Sequence, residues 1–400
     1  MAKKRGAKKG AKALPLLIIG VLAVGLFGLY QVTGFGSLAA SVIGAGGTSG
    51  NTVETSVSVE AVDLEDTNVI AGTDRVRAGQ FTFTGNGASY VLDELEVVIP
   101  SDVSTSITDV TLRYKNVFGF KVEKTQAVVA SNSHATASFL DVGMRILKNK
   151  PRNIHVLVGL AGIHQGAKSG AILSAGISLD EGLRVLRLNG ESVHSVGEGV
   201  LYGDGKSYIR KTLPKITGKK PSRDIAAGAP LYEFRVRADK AGPVEWKKIS
   251  FEIETKGVEV GTLYAREVGS TSNINDIPVD IKNGIATIYV GKSDNNDVEQ
   301  IAAGEVRRYQ LYATSITGWS RNEDYLKIRI MGDSSYAENS GGPSIARFAN
   351  IVWSDRSEIS HNLQTKDWIN GFLIEGIDKS TVKYGHRPEI PDETGGPEEG

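Results

Sequence analysis

After Gly50 the chain consists of short apolar runs that alternate with clusters of Gly, Asn, Asp and Ser, and long helical periodicity is hard to find. Runs such as VLDELEVVI, DVTLRYKNV, NIHVLVGLAG, KKISFEIE, GTLYARE, GIATIYVG, VRRYQLYATSI and DYLKIRIMG are rich in β-branched and aromatic residues, and most place apolar side chains at every second position. Period-two alternation buries one face of a strand and wets the other. The expected class is all-β, built as sandwiches whose two layers share one core.

The pattern occurs twice. Phe81 and Phe83 precede Leu92-x-x-Leu95-x-Val97-x-Ile99, and Phe234 and Val236 precede Trp246-x-x-Ile249-x-Phe251-x-Ile253, the same 3-2-2 apolar spacing. Each is followed by a Leu/Tyr strand (Leu112, Tyr114; Leu263, Tyr264) and then by a strand with a basic start (Arg152 to Leu160; Arg307 to Ala313). Ile70-Ala71-Gly72 before the first unit matches Ile225-Ala226-Ala227-Gly228 before the second. Internal similarity on this scale marks repeated structural units. Two tandem immunoglobulin-like β-sandwich domains are expected, over 61–200 and 231–386, behind one N-terminal transmembrane or signal helix. Residues 44–60 and 201–230 are expected to be linkers, the second because three prolines and concentrated Lys and Arg interrupt any strand pattern. The Pro/Gly/Glu-rich tail 387–400 is expected to be disordered.

The leader, 1–13, carries Lys3, Lys4, Arg5, Lys8, Lys9 and Lys12 directly before an apolar stretch, 14–43, centred on Leu16, Leu17, Ile18, Ile19, Leu22, Leu26, Phe27 and Leu29. A helix of roughly 20 apolar residues crosses a bilayer core. The cationic leader favours a cytoplasmic N-terminus, so the bulk of the chain is expected outside. Ser37-Leu38-Ala39 offers the small residues that a signal peptidase accepts, so a retained anchor and a cleaved signal both stay open. A prepilin-like site at Lys8-Lys9-Gly10 is the weaker reading, because Pro15 stands where type IV pilins carry an acidic residue.

The chain has no cysteine, which excludes disulfides, thiolate metal sites and cysteine nucleophiles. Without the six leader cations, 40 Lys+Arg face 46 Asp+Glu, a net charge of −6 that makes a nucleic-acid partner a poor expectation. The six histidines are scattered without zinc-ligand spacing. His155, in an alternating strand, reads as a surface or satisfied residue. Asp294 and Asp297, with Glu299 nearby, supply oxygen donors on a loop and are the candidate calcium ligands, with an acidic turn as the plainer reading. No other cofactor is implied.

Trp353, Ser354, Asp355, His361, Asp367 and Trp368 fall close together near the C-terminus. No G-x-S-x-G surrounds Ser354, which argues against a serine hydrolase. Trp353 and Trp368 can form an aromatic platform for a glycan. The structural alternative, which the residue types favour, has Trp353 ending a core strand, Ser354 and Asp355 capping the next turn, and Trp368 plugging the sandwich.

Several segments carry a resemblance: Arg210-Lys211-Thr212-Leu213-Pro214, Tyr232-x-Phe234-x-Val236-x-Ala238-Asp239, Trp246-Lys247-Lys248-Ile249-x-Phe251, and Trp353-Ser354-Asp355-Arg356-Ser357 with His361 and Asp367-Trp368-Ile369-Asn370-Gly371-Phe372. Together they resemble the exported β-sandwich surface proteins of candidate-phyla-radiation (Patescibacteria) bacteria, with Asn362 and Phe372 departing from the usual Ser and Tyr. The resemblance implies an S-layer-like or otherwise structural, non-enzymatic protein of the cell surface, held by its N-terminal helix in the membrane or secreted. Its expected partners are the membrane, further copies of itself meeting at strand edges, or other surface proteins. The alternative is an adhesin or carbohydrate-binding module that uses Trp246, Trp319, Trp353 or Trp368, recognisable by two or more solvent-facing aromatics on one surface. A hydrolase would need a cleft, for which 117–137 and 162–178 are the available insertions.

Overall fold

The computed structural model describes the strand Ala40–Ser41 and residues 56–130, 133–193, 196–222, 225–269, 277–290, 297–319, 323–338 and 345–385. Leu16, Leu17, Ile18, Ile19, Leu22, Leu26, Phe27 and Leu29, the tail 387–400 and Asp294 lie outside the described residues. Among the described residues no helix is long and apolar enough to cross a membrane.

The chain is nearly all-β. All eight alternating runs are strands, and the α-helices among the described residues are single turns, Ser101–Ser104 and Ile345–Phe348. Buried apolar side chains form two large clusters, one drawn from Val57 to Ile209 and one from Ile216 to Tyr384. In the first sandwich one antiparallel sheet runs in the order Ser56–Ala61, Val76–Asn86, Arg152–Leu160, Ile107–Lys115, Lys121–Ala127. The facing sheet is built on Tyr90–Pro100, which pairs with Leu183–Arg187, Gly176–Ser178, His134–Phe139 and Met144–Ile146.

The second sandwich repeats the plan. Pro214–Lys219, Pro230–Ala238, Val306–Ala313 and Leu263–Glu267 follow one another in one layer, and Val244–Lys256 is the centre of the other. The Phe81/Phe83 strand is therefore followed across the sheet by Arg152–Leu160 and Ile107–Lys115, as the Phe234 strand is by Val306–Ala313 and Leu263–Glu267. Ile277–Lys282 pairs with both Leu263–Glu267 and Ile285–Tyr289, joining the layers.

The 3-2-2 spacing has a geometric cause. A three-residue step returns a side chain to the same face of a strand only if one residue bulges out of the ladder. Leu92 lies opposite Val185 and Glu94 opposite Arg184, so Asp93 is the extra residue; Trp246 lies opposite Trp353 and Lys248 opposite Val352, so Lys247 is. Leu92, Leu95, Trp246 and Ile249 all point into their cores as a result. The Ile-Ala-Gly similarity also marks equivalent places: Gly72 and Gly228, both at positive φ, donate to the carbonyls of Ala161 and Ala313 at the ends of equivalent strands.

Residues 201–230 are not a free linker, and the first sandwich begins before residue 61. Ser56–Ala61 is already in the first sheet, Ser207–Arg210 pairs in parallel with Thr67–Ile70, and Pro214–Lys219 is an edge strand of the second sandwich. Pro214 is tolerated because it opens an edge strand, where no ladder partner needs its missing N–H. Gly218 is packed tightly in that strand: a Cβ there would lie 1.7 Å from the hydroxyl of Tyr232, which donates to Ser380 O. Gly218→Ala is expected to destabilise by about 2 kcal/mol through overpacking, read as a lower urea midpoint; an unchanged midpoint would mean this edge is loosely held.

Candidate functional site

The C-terminal block forms a buried polar centre beside the junction of the two sandwiches. Ile351–Ser354 pairs with Val244–Lys256 on one side and with Trp368–Asn370 on the other. Trp353 faces the second core, and its Nε1 donates to Asn370 O at 2.9 Å; Trp368 packs against Ile345, Ala349 and Val352, with Nε1 donating to Asn362 O at 2.8 Å. Trp246, Trp353 and Trp368 are each 1% exposed. None offers a ring face to a sugar, so the expected Trp353/Trp368 glycan platform does not form. Trp319 is partly buried against the second core.

Ser354 and Asp355 do cap the following turn: Ser354 Oγ accepts from Arg356 N at 2.9 Å and Asp355 Oδ1 from Ser357 N at 3.2 Å, with Arg356 at φ 52°. The other oxygen of Asp355 has a longer reach. Oδ2 accepts from Ser169 Oγ at 2.5 Å and from Lys211 N at 2.8 Å, so this fully buried carboxylate fastens a loop of the first sandwich and the crossing chain to the second. The same junction holds Tyr208 against Tyr336 at 4.7 Å and Phe372 at 6.0 Å, with the Arg210 guanidinium 5.0 Å from the Tyr336 ring. Asp355→Ala is expected to cost about 2 kcal/mol by leaving the Ser169 and Lys211 donors unpaired. Limited proteolysis at 165–171 should speed up; cleavage no faster than in the parent would mean that Asp355 does not hold that loop.

His361 joins this centre, which residue spacing did not foretell in full. Its Nδ1 lies 2.9 Å from Asp367 Oδ2 and its Nε2 2.7 Å from Glu245 Oε2, while Arg356 Nε lies 3.2 Å from Glu245 Oε1. Burial opposes charge on the imidazole, but hydrogen bonds to Asp367 and Glu245 outweigh it and carry the His361 pKa up to about 9. Burial likewise pushes Asp367 up, and its bonds from His361, Thr365 and the Glu358 amide outweigh that, leaving it below the usual carboxylate range. A protonated imidazole has no lone pair with which to act as a base. The cluster is a charge-balanced support for the block. Glu245, brought in from a strand more than a hundred residues away, was the member that sequence reasoning missed.

The calcium expectation keeps only one described member. Asp297 is exposed and its carbonyl accepts from Lys247 Nζ at 2.7 Å. Among the described residues no group of three or more His, Cys, Asp or Glu is placed to hold a metal ion.

Exposed aromatics lie elsewhere. The hairpin joining Ile107–Lys115 to Lys121–Ala127 lifts Phe118, 79% exposed, and Phe120, 69% exposed, away from the first sandwich. Asn116 Oδ1 accepts from the amides of both, at 3.0 and 3.1 Å, and Gly119 takes φ +83° at the tip. The two rings are thus presented by a turn that is already organised.

No family model matches the chain, and no curated protein matches it. Solved structures show the likeness. The chain is similar to the C-terminal domain of the Streptococcus agalactiae AgI/II polypeptide BspA, with 8% identity, 68% of this chain and 94% of that one covered, and a TM-score of 0.20. It is also similar to the B domain of a biofilm associated protein (8% identity, 69% and 81% covered, TM-score 0.22) and to the collagen binding domain of Erysipelothrix rhusiopathiae surface protein RspB (10% identity, 82% and 93% covered, TM-score 0.20). At such TM-scores these likenesses carry no functional argument.

Proposed function

We propose that this chain is an exported, non-enzymatic protein of the cell surface that works by binding, as an adhesin does, with residues 14–43 as its membrane anchor or signal. The observation that carries this reading is the pair Phe118 and Phe120, exposed on a braced hairpin and flanked by Lys115 and Lys121. Large apolar groups held out in water cost free energy that is recovered when a partner covers them, and a pre-organised turn spares the ordering entropy of binding.

The array-building alternative fits less well, because three of the outer strands are protected. Lys121–Ala127 carries Lys121, Glu123 and Lys124, Pro214–Lys219 opens with proline and carries two lysines, and Val382–Gly385 carries Lys383. Charges and proline on edge strands oppose edge-to-edge pairing. The test is antibody labelling of intact source cells, together with adhesion of beads coated with the full chain, in the parent and in Phe118→Ser/Phe120→Ser. Surface labelling and adhesion that drops at least fivefold in the variant are expected. Labelling only after lysis, or adhesion unaffected by the variant, would overturn the reading.

A further inference from the structure

Beside the hairpin lies a groove of about 400 Å³ whose charged lining residues, Arg113, Lys115, Lys121 and Arg152, are all cationic, with His155 among them. This is unexpected in a chain whose residues beyond the leader carry a net charge of −6. Among the described residues Lys115, Lys121 and Arg152 have no carboxylate partner, and only Arg113 is neutralised, by Glu123 at 2.6 Å. Unpaired cations concentrated in a concave site focus a positive potential on whatever enters it.

Register explains the cluster. Arg113 lies opposite both His155 and Glu123, and Lys115 opposite Lys121, so these side chains come together at one end of the sheet. His155 does not behave as the satisfied strand residue its alternation suggests. Its Nδ1 is buried with no hydrogen-bond partner, an arrangement that native proteins usually avoid. Burial, then the positive fields of Arg77 and Arg113, hold its pKa below the ordinary histidine value.

We propose that this groove binds an acidic polysaccharide, a chain bearing carboxylate or sulfate groups, with Lys115, Lys121 and Arg152 pairing its anions and Phe118 and Phe120 covering the apolar faces of its sugars. The inference rests on the surface-binding reading and gives that surface its ligand class. Polysaccharide is favoured over nucleic acid because the basic surface is one groove on an acidic protein rather than an extended stripe. Arginine and lysine in such a site give charge-assisted hydrogen bonds to anionic oxygens, and pyranose C–H faces pack on aromatic rings.

The experiment measures binding of the full chain, in detergent, to immobilised heparin as the sulfated probe, polygalacturonate as the carboxylated one, dextran as the neutral control and a single-stranded oligonucleotide. Binding to at least one acidic saccharide, none to dextran and weaker binding to the oligonucleotide is expected. Lys121→Glu/Arg152→Glu should weaken it at least tenfold, while the charge-matched control Lys240→Glu/Lys379→Glu stays within twofold, both with parental melting temperatures. NMR titration should show the His155 pKa rising when the saccharide saturates the chain, since a bound anion favours the charged ring. Absence of acidic-saccharide binding, equal losses in the two double variants, tighter oligonucleotide binding, or a His155 titration unmoved by saturation would each overturn the proposal. Bead adhesion that persists without saccharide binding would overturn the groove alone and leave the surface-binding reading standing.

Discussion

Trp353→Ala is expected to lower stability by about 4 kcal/mol, within the range for truncating a large buried aromatic. The side chain is 1% exposed, lies opposite Trp246 and Ile369 in neighbouring strands, and its indole N–H donates to Asn370 O. Truncation removes the apolar contacts, opens a cavity between rigid strands that cannot close around it, and orphans a buried carbonyl. Trp353→Phe keeps most of the volume and loses the donor, so about 2 kcal/mol is expected for it. Urea denaturation of the full chain reads both, and a loss under 1 kcal/mol for the alanine variant would show that this position is not a keystone of the second core.

Glu245→Gln should cost about 3 kcal/mol at pH 7, because it leaves the partly buried His361 and Arg356 charges without the buried carboxylate they share. The pH dependence carries the signature. The folded-state pKa of His361 is raised to about 9 above an unfolded value near 6.5, so its contribution is fully present below about pH 6.5 and is lost as pH rises through 9. The full shift corresponds to about 3 kcal/mol; the side chain is 10% exposed, and solvent screening brings the expected loss to about 2 kcal/mol. Asp367 works in the opposite sense, stabilising above its unfolded pKa and ceasing to do so as pH falls through its depressed folded value. Thermal melting from pH 5 to 10 should therefore fall on the alkaline side in the parent and fall less in Glu245→Gln, narrowing the gap between them. Parallel curves would mean that His361 is not held charged by Glu245.

These effects share a feature with the groove: each joins residues far apart in sequence. His361 and Asp367 were visible as neighbours in a short block, but Glu245 enters through the pairing of Val244–Lys256 with Ile351–Ser354. In the groove, His155 meets Arg113 through strand pairing, and nothing about either residue's local pattern announces it. Residues 201–230 differ from the linker that their composition suggests for a related reason. Prolines and basic residues do discourage central strands, yet Pro214–Lys219 lies at a sheet edge, where those residues are tolerated. The tryptophans were open between a ligand platform and a core role because an indole serves both; burial, which composition does not show, decides for the core.

What the sequence by itself determined is the all-β class, the eight strands read from alternation, and the repeat, including a 3-2-2 spacing whose odd step is the trace of a bulge in each central strand. Alternation and bulges are local properties, written in which side chains need the core. Only the tertiary structure decided which strands pair, that Asp355 fastens the two sandwiches, that Glu245 completes the His361 cluster, and that four cations share one groove with a histidine whose buried Nδ1 has no partner. Strand pairing brings together residues with no relation in sequence, and buried or concentrated charge acquires its chemistry from the neighbours that pairing supplies.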